Sequence, residues 1–305
     1  MNTWDAEDEV DAHRAASLIG AHFPELRDAM VEPFAAGWDN TVFRVDGRWA
    51  FRFPRRAVAV AGVEREIATL RRLAPHLPIP IPEPRWIGVP DAGYPWPWFG
   101  ARFLAGRELA AAGVADADRE RIGAQLGTFL RALHAPRLAA RVGTALPVDP
   151  NRRADMAFRV RLTRERLADL VAAGLWRGDE AVDSLLADAE DLPPPPRTVV
   201  LHGDLHARHV LVEGRGSATA VSAVIDWGDV CAGDPSVDLG VAYGSLDGGP
   251  RRAFVDAYGP IDGVTELRAR TIAIFLAAAL LAYAVDVGLD ALAADSLRGL
   301  ARAVT

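Results

Sequence analysis

The chain has 305 residues, half of them hydrophobic, which allows one large domain or two lobes with a sizeable core. Its formal net charge of -7 argues against a nucleic-acid partner, because such binders carry a basic stripe, and it suits a neutral or cationic small molecule. All 34 basic residues are arginine, and without a lysine a Walker A loop is excluded.

The N-terminus, Met1-Asn2-Thr3-Trp4-Asp5-Ala6-Glu7, is acidic and lacks the basic region and apolar core of a signal peptide, so a cytoplasmic protein is expected. Thr41–Val45 and Arg48–Phe53 are β-rich runs separated by Asp46-Gly47, a pair that favours a type I′ hairpin turn. Alternation puts Trp49, Phe51 and Phe53 on one strand face and Ala50 and Arg52 together on the other. A helix follows over 61–73, with Val63, Ile67 and Leu70 as its apolar stripe, Glu66 beside that stripe and Glu64 pointing away. Pro78, Pro80, Pro82 and Pro84 enforce an extended connection, and the aromatic segment 94–104 reads as one or two strands.

Beyond Gly106 the period becomes helical. Ile122, Leu126, Phe129, Leu130 and Leu133 share a helix face, and further helices are expected near 152–190 until Pro193–Pro196 break them. Two short apolar strands, 198–201 and 221–225, each end next to a polar loop. Cys231, the one cysteine, excludes an intrachain disulfide and fits a reducing compartment. The longest apolar run, 271–285 between Arg270 and Asp286, falls short of the ~20 residues of a membrane span and reads as a buried helix. No membrane partner and no obligate protein partner is expected.

The chemistry concentrates in two places. His202-Gly203-Asp204-Leu205-His206-Ala207-Arg208-His209 leaves the first short strand, and Ile225-Asp226-Trp227 leaves the second. Phosphoryl transfer needs a group that orients the attacking hydroxyl and cations that absorb phosphate charge. Asp204 can accept the proton, and His209 and Asp226 can approach magnesium.

These motifs resemble those of the aminoglycoside phosphotransferase family, whose loop reads His-Gly-Asp-x-His-x-x-Asn and whose metal aspartate follows in Ile-Asp-aromatic. The resemblance covers most of residues 35–245. It implies an α+β, bilobal protein-kinase-like fold, with a nucleotide-binding sheet lobe over 1–103 and a helical lobe carrying the catalytic loop and substrate site over 104–305. It also implies Asp204 as catalytic base, Asp226 and His209 as ligands of nucleotide-bound Mg2+, and GTP or ATP as donor. Asp234 and Asp238, in Asp234-Pro235-Ser236-Val237-Asp238-Leu239, are read as scaffold for the loop. His206 is read as ordering it by hydrogen bonds.

Kinases place an Ala-x-Lys motif against adenine and phosphates. Ala50-Phe51-Arg52 has this form, with arginine in the lysine position and Glu66 as its helix partner. Asn40, in Gly37-Trp38-Asp39-Asn40-Thr41, is expected near the phosphates. The segment 99–106 resembles the family's interlobe hinge, which implies that the Arg102 carbonyl and Leu104 amide face the purine, with Ala101 as a small gatekeeper. His209 in place of asparagine is similar to the macrolide 2′-phosphotransferase branch, whose implied substrate is an antibiotic hydroxyl. An aminoglycoside hydroxyl remains open as acceptor, and so does a pseudokinase-like module without turnover. His134 is expected to cap or pack, and Met156, Phe158, Trp176, Phe275 and Tyr283 to pack in the core.

Overall fold

The computed structural model describes residues 6–37, 39–142, 146–195 and 198–305; Met1–Asp5, Trp38 and Pro196, named above, lie outside the described residues. The chain divides into two compact units. The first comprises Met1–Pro75, Pro80–Leu104 and Asp226–Val230, and the second His76–Ile79, Ala105–Ile225 and Cys231–Thr305.

In the first unit, Asp11 caps helix α1 (Ala12–His22) by accepting the Arg14 amide at 2.8 Å. Strands β1 (Val31–Ala36), β2 (Asn40–Val45) and β3 (Trp49–Pro54) lead to helix α2 (Ala57–Leu73), then β4 (Pro84–Gly88) and β5 (Trp98–Arg102). They form one antiparallel sheet in the order β1-β2-β3-β5-β4.

The β2–β3 turn forms where Asp46-Gly47 predicts it. Both residues are left-handed, φ 50° and 64°, and the Arg48 amide donates back to the Val45 carbonyl at 3.0 Å. Val45 faces Trp49 across the hairpin, so Arg48 joins the loop rather than the ladder. Strand alternation then sorts the residues. Phe51 and Phe53 are fully buried with Phe43, Val45, Tyr94, Trp98 and the α1 residues Leu18 and Ile19. The Phe53 and Trp98 rings stack at 4.6 Å. Removing one such aromatic side chain costs roughly 3–5 kcal/mol. Gly100 is required here, because a Cβ would lie 2.5 Å from the Phe51 ring.

On the opposite face Ala50 lies across from Ala101 and Arg52 across from Phe99. Helix α2 packs there through Val63, with Ile67 at the margin, against Phe99 and Ala101. It begins at Ala57, four residues earlier than the apolar stripe suggested, and the added turn extends the buried face only through the small side chain of Ala59.

The second unit is mostly helical. In chain order it holds β6 (Arg107–Glu108), α3 (Glu120–Leu133), α4 (Pro136–Val142), α5 (Met156–Ala172), α6 (Glu180–Glu190), β7 (Val199–Leu201), β8 (Val210–Glu213), β9 (Ala220–Val224) and β10 (Cys231–Gly233). Helices α7 (Ser236–Ser245), α8 (Gly248–Tyr258), α9 (Gly263–Asp286) and α10 (Asp290–Val304) complete it. The strands pair as β6-β8-β9 and β10-β7, all antiparallel. The five apolar residues predicted to share a face of α3 are all buried. That face meets α8 at glycines: a Cβ on Gly123 would stand 2.2 Å from the Pro250 carbonyl oxygen.

Helix α9 starts eight residues before the apolar run, because Asp262 caps it by accepting the Thr265 amide at 2.9 Å. At 24 residues it is the one helix among the described residues long and apolar enough to cross a membrane. It packs against α5, α7 and α10, with Ile272, Ile274 and Leu281 buried.

Candidate active site

In the sheet unit, the guanidinium of Arg52 bridges two carboxylates. Nη1 donates to Glu66 Oε1 at 2.7 Å and Nη2 to Asp226 Oδ1 at 2.9 Å. Strand geometry delivers Arg52 to the face that α2 covers, and the helical period brings Glu66 round to meet it. Glu66 is wholly buried, and its Oε1 also accepts the Trp227 amide at 3.2 Å. Burial pushes its carboxyl up to about 7, against the charge of Arg52 and the Trp227 hydrogen bond. Burial also opposes the charge on Arg52, but Glu66 and Asp226 outweigh it and raise the guanidinium pKa, so Arg52 stays a cation.

Asp226 has φ 63°, a left-handed conformation that costs a non-glycine residue about 1–3 kcal/mol and concentrates at functional sites. The segment after it is pinned to α2. The Arg65 guanidinium donates to the Gly228 carbonyl at 2.6 Å, and Gly62 packs so closely on Gly228 that a Cβ would come within 3.0 Å of its oxygen. The Asp226 side chain is 48% exposed and offers carboxylate oxygen, the donor a hard divalent ion takes. Magnesium fits this residue; the imidazole nitrogen of His209 is a softer partner.

Ala50 is half-buried beside Ala101, which is 2% exposed, while Arg102 is exposed and Leu104 half-buried at the end of β5. Asn40 is the first residue of β2, with its side chain buried and its Oδ1 without a hydrogen-bond partner among the described residues. Its neighbour Asp39 pairs with Arg56.

In the helical unit, the loop after β7 carries Asp204. Buried Asp238 sets that loop: its Oδ2 accepts the His202 amide at 2.8 Å and its Oδ1 the Gly203 amide at 2.9 Å. His134, at the C-terminal cap of α3, reaches Asp238 Oδ2 through Nε2 at 3.2 Å and the Tyr258 hydroxyl through Nδ1 at 3.0 Å. Asp234 accepts the Ser236 amide at 3.0 Å. The loop closes with His202 Nε2 at 2.9 Å from the Ile225 carbonyl, the Ile225 amide on the His209 carbonyl at 2.9 Å, and His209 Nδ1 at 2.8 Å from the Asp204 carbonyl.

Both carboxylate oxygens of Asp204 have neighbours. Arg153 Nη2 donates to Oδ1 at 3.2 Å, and His206 Nε2 stands 3.6 Å from Oδ2. Burial opposes ionisation of Asp204. The His206 contact, then the charges of Arg153 and His209, overcome it and hold the carboxyl well below the usual carboxylate range.

Sequence reasoning missed Arg153. It leaves a tight turn in which Asp149 and Arg152 are both left-handed, φ 30° and 49°. The Asp149 carboxylate accepts the Arg153 and Ala154 amides, each at 2.8 Å, and its own amide donates to the Ala232 carbonyl at 2.8 Å. The run Asp149-Pro150-Asn151 is a turn signal that marks this place, though nothing in it says that the turn delivers a guanidinium to Asp204.

The five residues expected in the core divide: Phe158, Trp176 and Tyr283 are only half-buried. Met156 is buried, whereas Phe275 is half-buried with the Arg159 and Arg166 guanidiniums over its ring at 4.1 and 4.6 Å. Phe158 likewise has Arg152 over its ring at 4.3 Å.

Residues 31–270 match the family described as Phosphotransferase enzyme family. Over 129 residues the chain is 36% identical to viomycin phosphotransferase of Streptomyces vinaceus, a match that takes in 41% of this chain and 42% of that relative's length. The fold is similar to the GDP complex of wild-type aminoglycoside 2′-phosphotransferase-IIIa, with a TM-score of 0.68 at 22% identity over 97% of this chain and 99% of the other. It is also similar to macrolide 2′-phosphotransferase type I, with a TM-score of 0.62 at 21% identity over 96% and 98% of the two chains.

Proposed function

The chain belongs to the phosphotransferase enzyme family, and on that premise we propose that it moves the γ-phosphate of a purine nucleoside triphosphate to a hydroxyl of an antibiotic-like small molecule, a macrolide in first place. The observation that carries this reading is Asp204: a carboxylate on a loop that two hydrogen bonds to Asp238 fix, with the Arg153 guanidinium 3.2 Å from one of its oxygens. In the proposed reaction Asp204 orients the acceptor hydroxyl and takes its proton as the oxygen attacks the γ-phosphorus and the nucleoside diphosphate leaves. Such a loose transition state asks for positioning and charge neutralisation more than for a strong base.

The remaining roles follow from residue chemistry. Arg52, kept in place by Glu66, serves the phosphates; a guanidinium binds phosphate bidentately where a lysine would act as a point charge. Asp226, which offers carboxylate oxygen, would hold Mg2+, and the ion when bound neutralises phosphate charge. Asn40 belongs near the phosphates, and Ala50, Ala101, the Arg102 carbonyl and the Leu104 amide serve the purine. Relatives whose structures contain GDP support GTP beside ATP as a donor.

The acceptor preference rests on charge. Helix α5 carries Arg159, Arg161, Arg164 and Arg166 against Glu165 and Asp169, and α9 has no carboxylate between Thr271 and Val285. A polyammonium aminoglycoside needs a surface dense in Asp and Glu; a macrolide, with one amino group on a large apolar ring, does not. The identity to viomycin phosphotransferase supports a second reading in which viomycin is the acceptor. A module that binds nucleotide without turnover is a third.

One assay separates them. The protein is mixed with Mg2+ and ATP or GTP, and nucleotide consumption is followed over a panel of macrolides, aminoglycosides and viomycin. Turnover with a macrolide that falls ~10²–10⁴-fold in Asp204→Asn, with nucleotide binding retained, is the expected result. Near-normal turnover in that variant would remove Asp204 from its role. Asp226→Ala is expected to abolish the magnesium dependence of nucleotide binding, and an unchanged dependence would place the ion elsewhere.

A further inference from the structure

Asp204, His206 and His209 stand within one six-residue stretch, and their ligand atoms all lie within 4.8 Å of one another. The two imidazoles are 3.9 Å apart between ring centres and tilted by 31°. The stretch is fixed from several sides: the His209 amide donates to the His206 carbonyl at 2.9 Å, the Ile225 amide to the His209 carbonyl at 2.9 Å, and Asp238 holds the residues before Asp204. The three groups therefore need little rearrangement to converge.

The donor set is two imidazole nitrogens and one carboxylate oxygen. Magnesium, a hard ion that keeps its waters, selects oxygen and disfavours such a set. Zinc, cobalt and nickel accept it readily, with the remaining positions left to water. His209 is already oriented as metal-bound histidines are: its Nδ1 is 2.8 Å from the Asp204 backbone carbonyl, which fixes the tautomer whose Nε2 lone pair a metal takes. Arg153 engages Oδ1 of Asp204, so the carboxylate meets an ion through Oδ2, the oxygen that faces His206. His206 has one adjustment to make. Its Nδ1 accepts the Arg208 amide over a long 3.3 Å, and that contact must give way so that the ring proton moves to Nδ1 and Nε2 turns its lone pair to the ion.

We infer that Asp204, His206 and His209 form a binding site for a divalent transition ion of the zinc, cobalt or nickel type. Its consequence rests on the reading of Asp204 as the base: an ion seated there occupies the carboxylate that must receive the acceptor hydroxyl, so transition ions inhibit phosphoryl transfer that magnesium supports. The site itself does not depend on that reading.

The test is a titration of the intact protein with Co2+, without nucleotide or acceptor, read by visible absorption. The expected result is saturation at one ion per chain with a band intensified by nitrogen ligation, displaced by Zn2+ but not by a large excess of Mg2+. His206→Gln and Asp204→Asn should each weaken binding by about tenfold or more. Thermal melting shows whether each variant is folded, and a variant that is not leaves the other to decide. Absence of saturable binding, displacement by Mg2+, or an unchanged titration in a folded variant overturns the site. A protein that consumes no nucleotide with any acceptor under Mg2+ would defeat the kinase reading and leave the cobalt titration standing.

Discussion

The guanidinium of Arg153 stands 3.2 Å from Oδ1 of Asp204, at the end of a turn whose backbone is strained at Asp149 and Arg152. A left-handed non-glycine residue costs about 1–3 kcal/mol, and two of them within four residues persist only where surrounding contacts over-determine them. Here Asp149 supplies those contacts, with both carboxylate oxygens on consecutive amides. The result is a side chain only 13% exposed, aimed at one oxygen of the carboxylate.

Arg153 is therefore expected to act as a positioning residue. Arg153→Ala should lower kcat by roughly 10²-fold, the scale of a small misplacement of a reacting group, while the KM for nucleotide stays unchanged. Arg153→Lys keeps the charge without the planar fork and should recover part of the loss. A kcat equal to wild type in the alanine variant would reduce the contact to a crossing of side chains.

Arg52 invites the same comparison with a different outcome. Its two nitrogens hold Glu66 and Asp226 at once, which a single ammonium on a shorter stem does less well. Arg52→Ala should weaken nucleotide affinity and turnover together. Arg52→Lys should restore much of both, because lysine still offers a cation to the phosphates. Lysine no better than alanine would mean that the simultaneous hold on the two carboxylates is what matters, and nucleotide titration against both variants decides it.

The sheet unit was the more legible in sequence, for a physical reason. Strand period and turn chemistry act over a few residues, so the Asp46-Gly47 hairpin, the shared face of Ala50 and Arg52, and the approach of Glu66 to Arg52 could all be read locally. Strand β1 was not, since it is an exposed edge interrupted by Pro33 and lacks alternation. Strands β8 and β10 show no usable alternation, since β8 is buried at its first three positions in a row and β10 is three small residues. In the helical unit Asp204 was legible because it sits in a dense motif. Arg153, 51 residues before it, meets Asp204 only through tertiary folding, and no spacing rule connects the two.

Glu66 makes a pH prediction. Its folded-state value is pushed up to about 7 from an ordinary 4.5, mainly by burial. A raised carboxyl contributes stability that is complete below about 4.5 and is lost as pH rises through about 7. The gap corresponds to roughly 3 kcal/mol at most, part of it shared with Arg52. Glu66→Gln is neutral at every pH and should lack this dependence. Urea unfolding at pH 5 and pH 8 is expected to show wild type losing stability relative to the variant at the higher pH. Parallel curves for the two proteins would mean that Arg52 holds Glu66 ionised throughout.

The last expectation concerns the purine. Ala101 is the last but one residue of β5, is nearly inaccessible, and packs with Val63 and Phe99 on the face it shares with Ala50. Two alanines paired across adjacent strands leave the smallest side-chain volume that an L-residue allows. Adenine and guanine differ at the 6-position: one presents an amino donor, the other a carbonyl acceptor with N1–H beside it. To satisfy the same backbone groups at Arg102 and Leu104, guanine must shift in its plane, and a methyl side chain leaves room for that shift. GTP is therefore expected to serve at least as well as ATP. Ala101→Met fills the space and should lower kcat/KM for GTP about tenfold more than for ATP. The added methylenes also press on Val63 and Phe99, and overpacking of that kind costs roughly 1–3 kcal/mol. Thermal melting of the variant separates this general cost from the nucleotide effect, because a stability loss lowers both donors alike. A wild type that strongly prefers ATP, or a methionine variant that harms both nucleotides equally while remaining folded, would show that the purine does not reach Ala101.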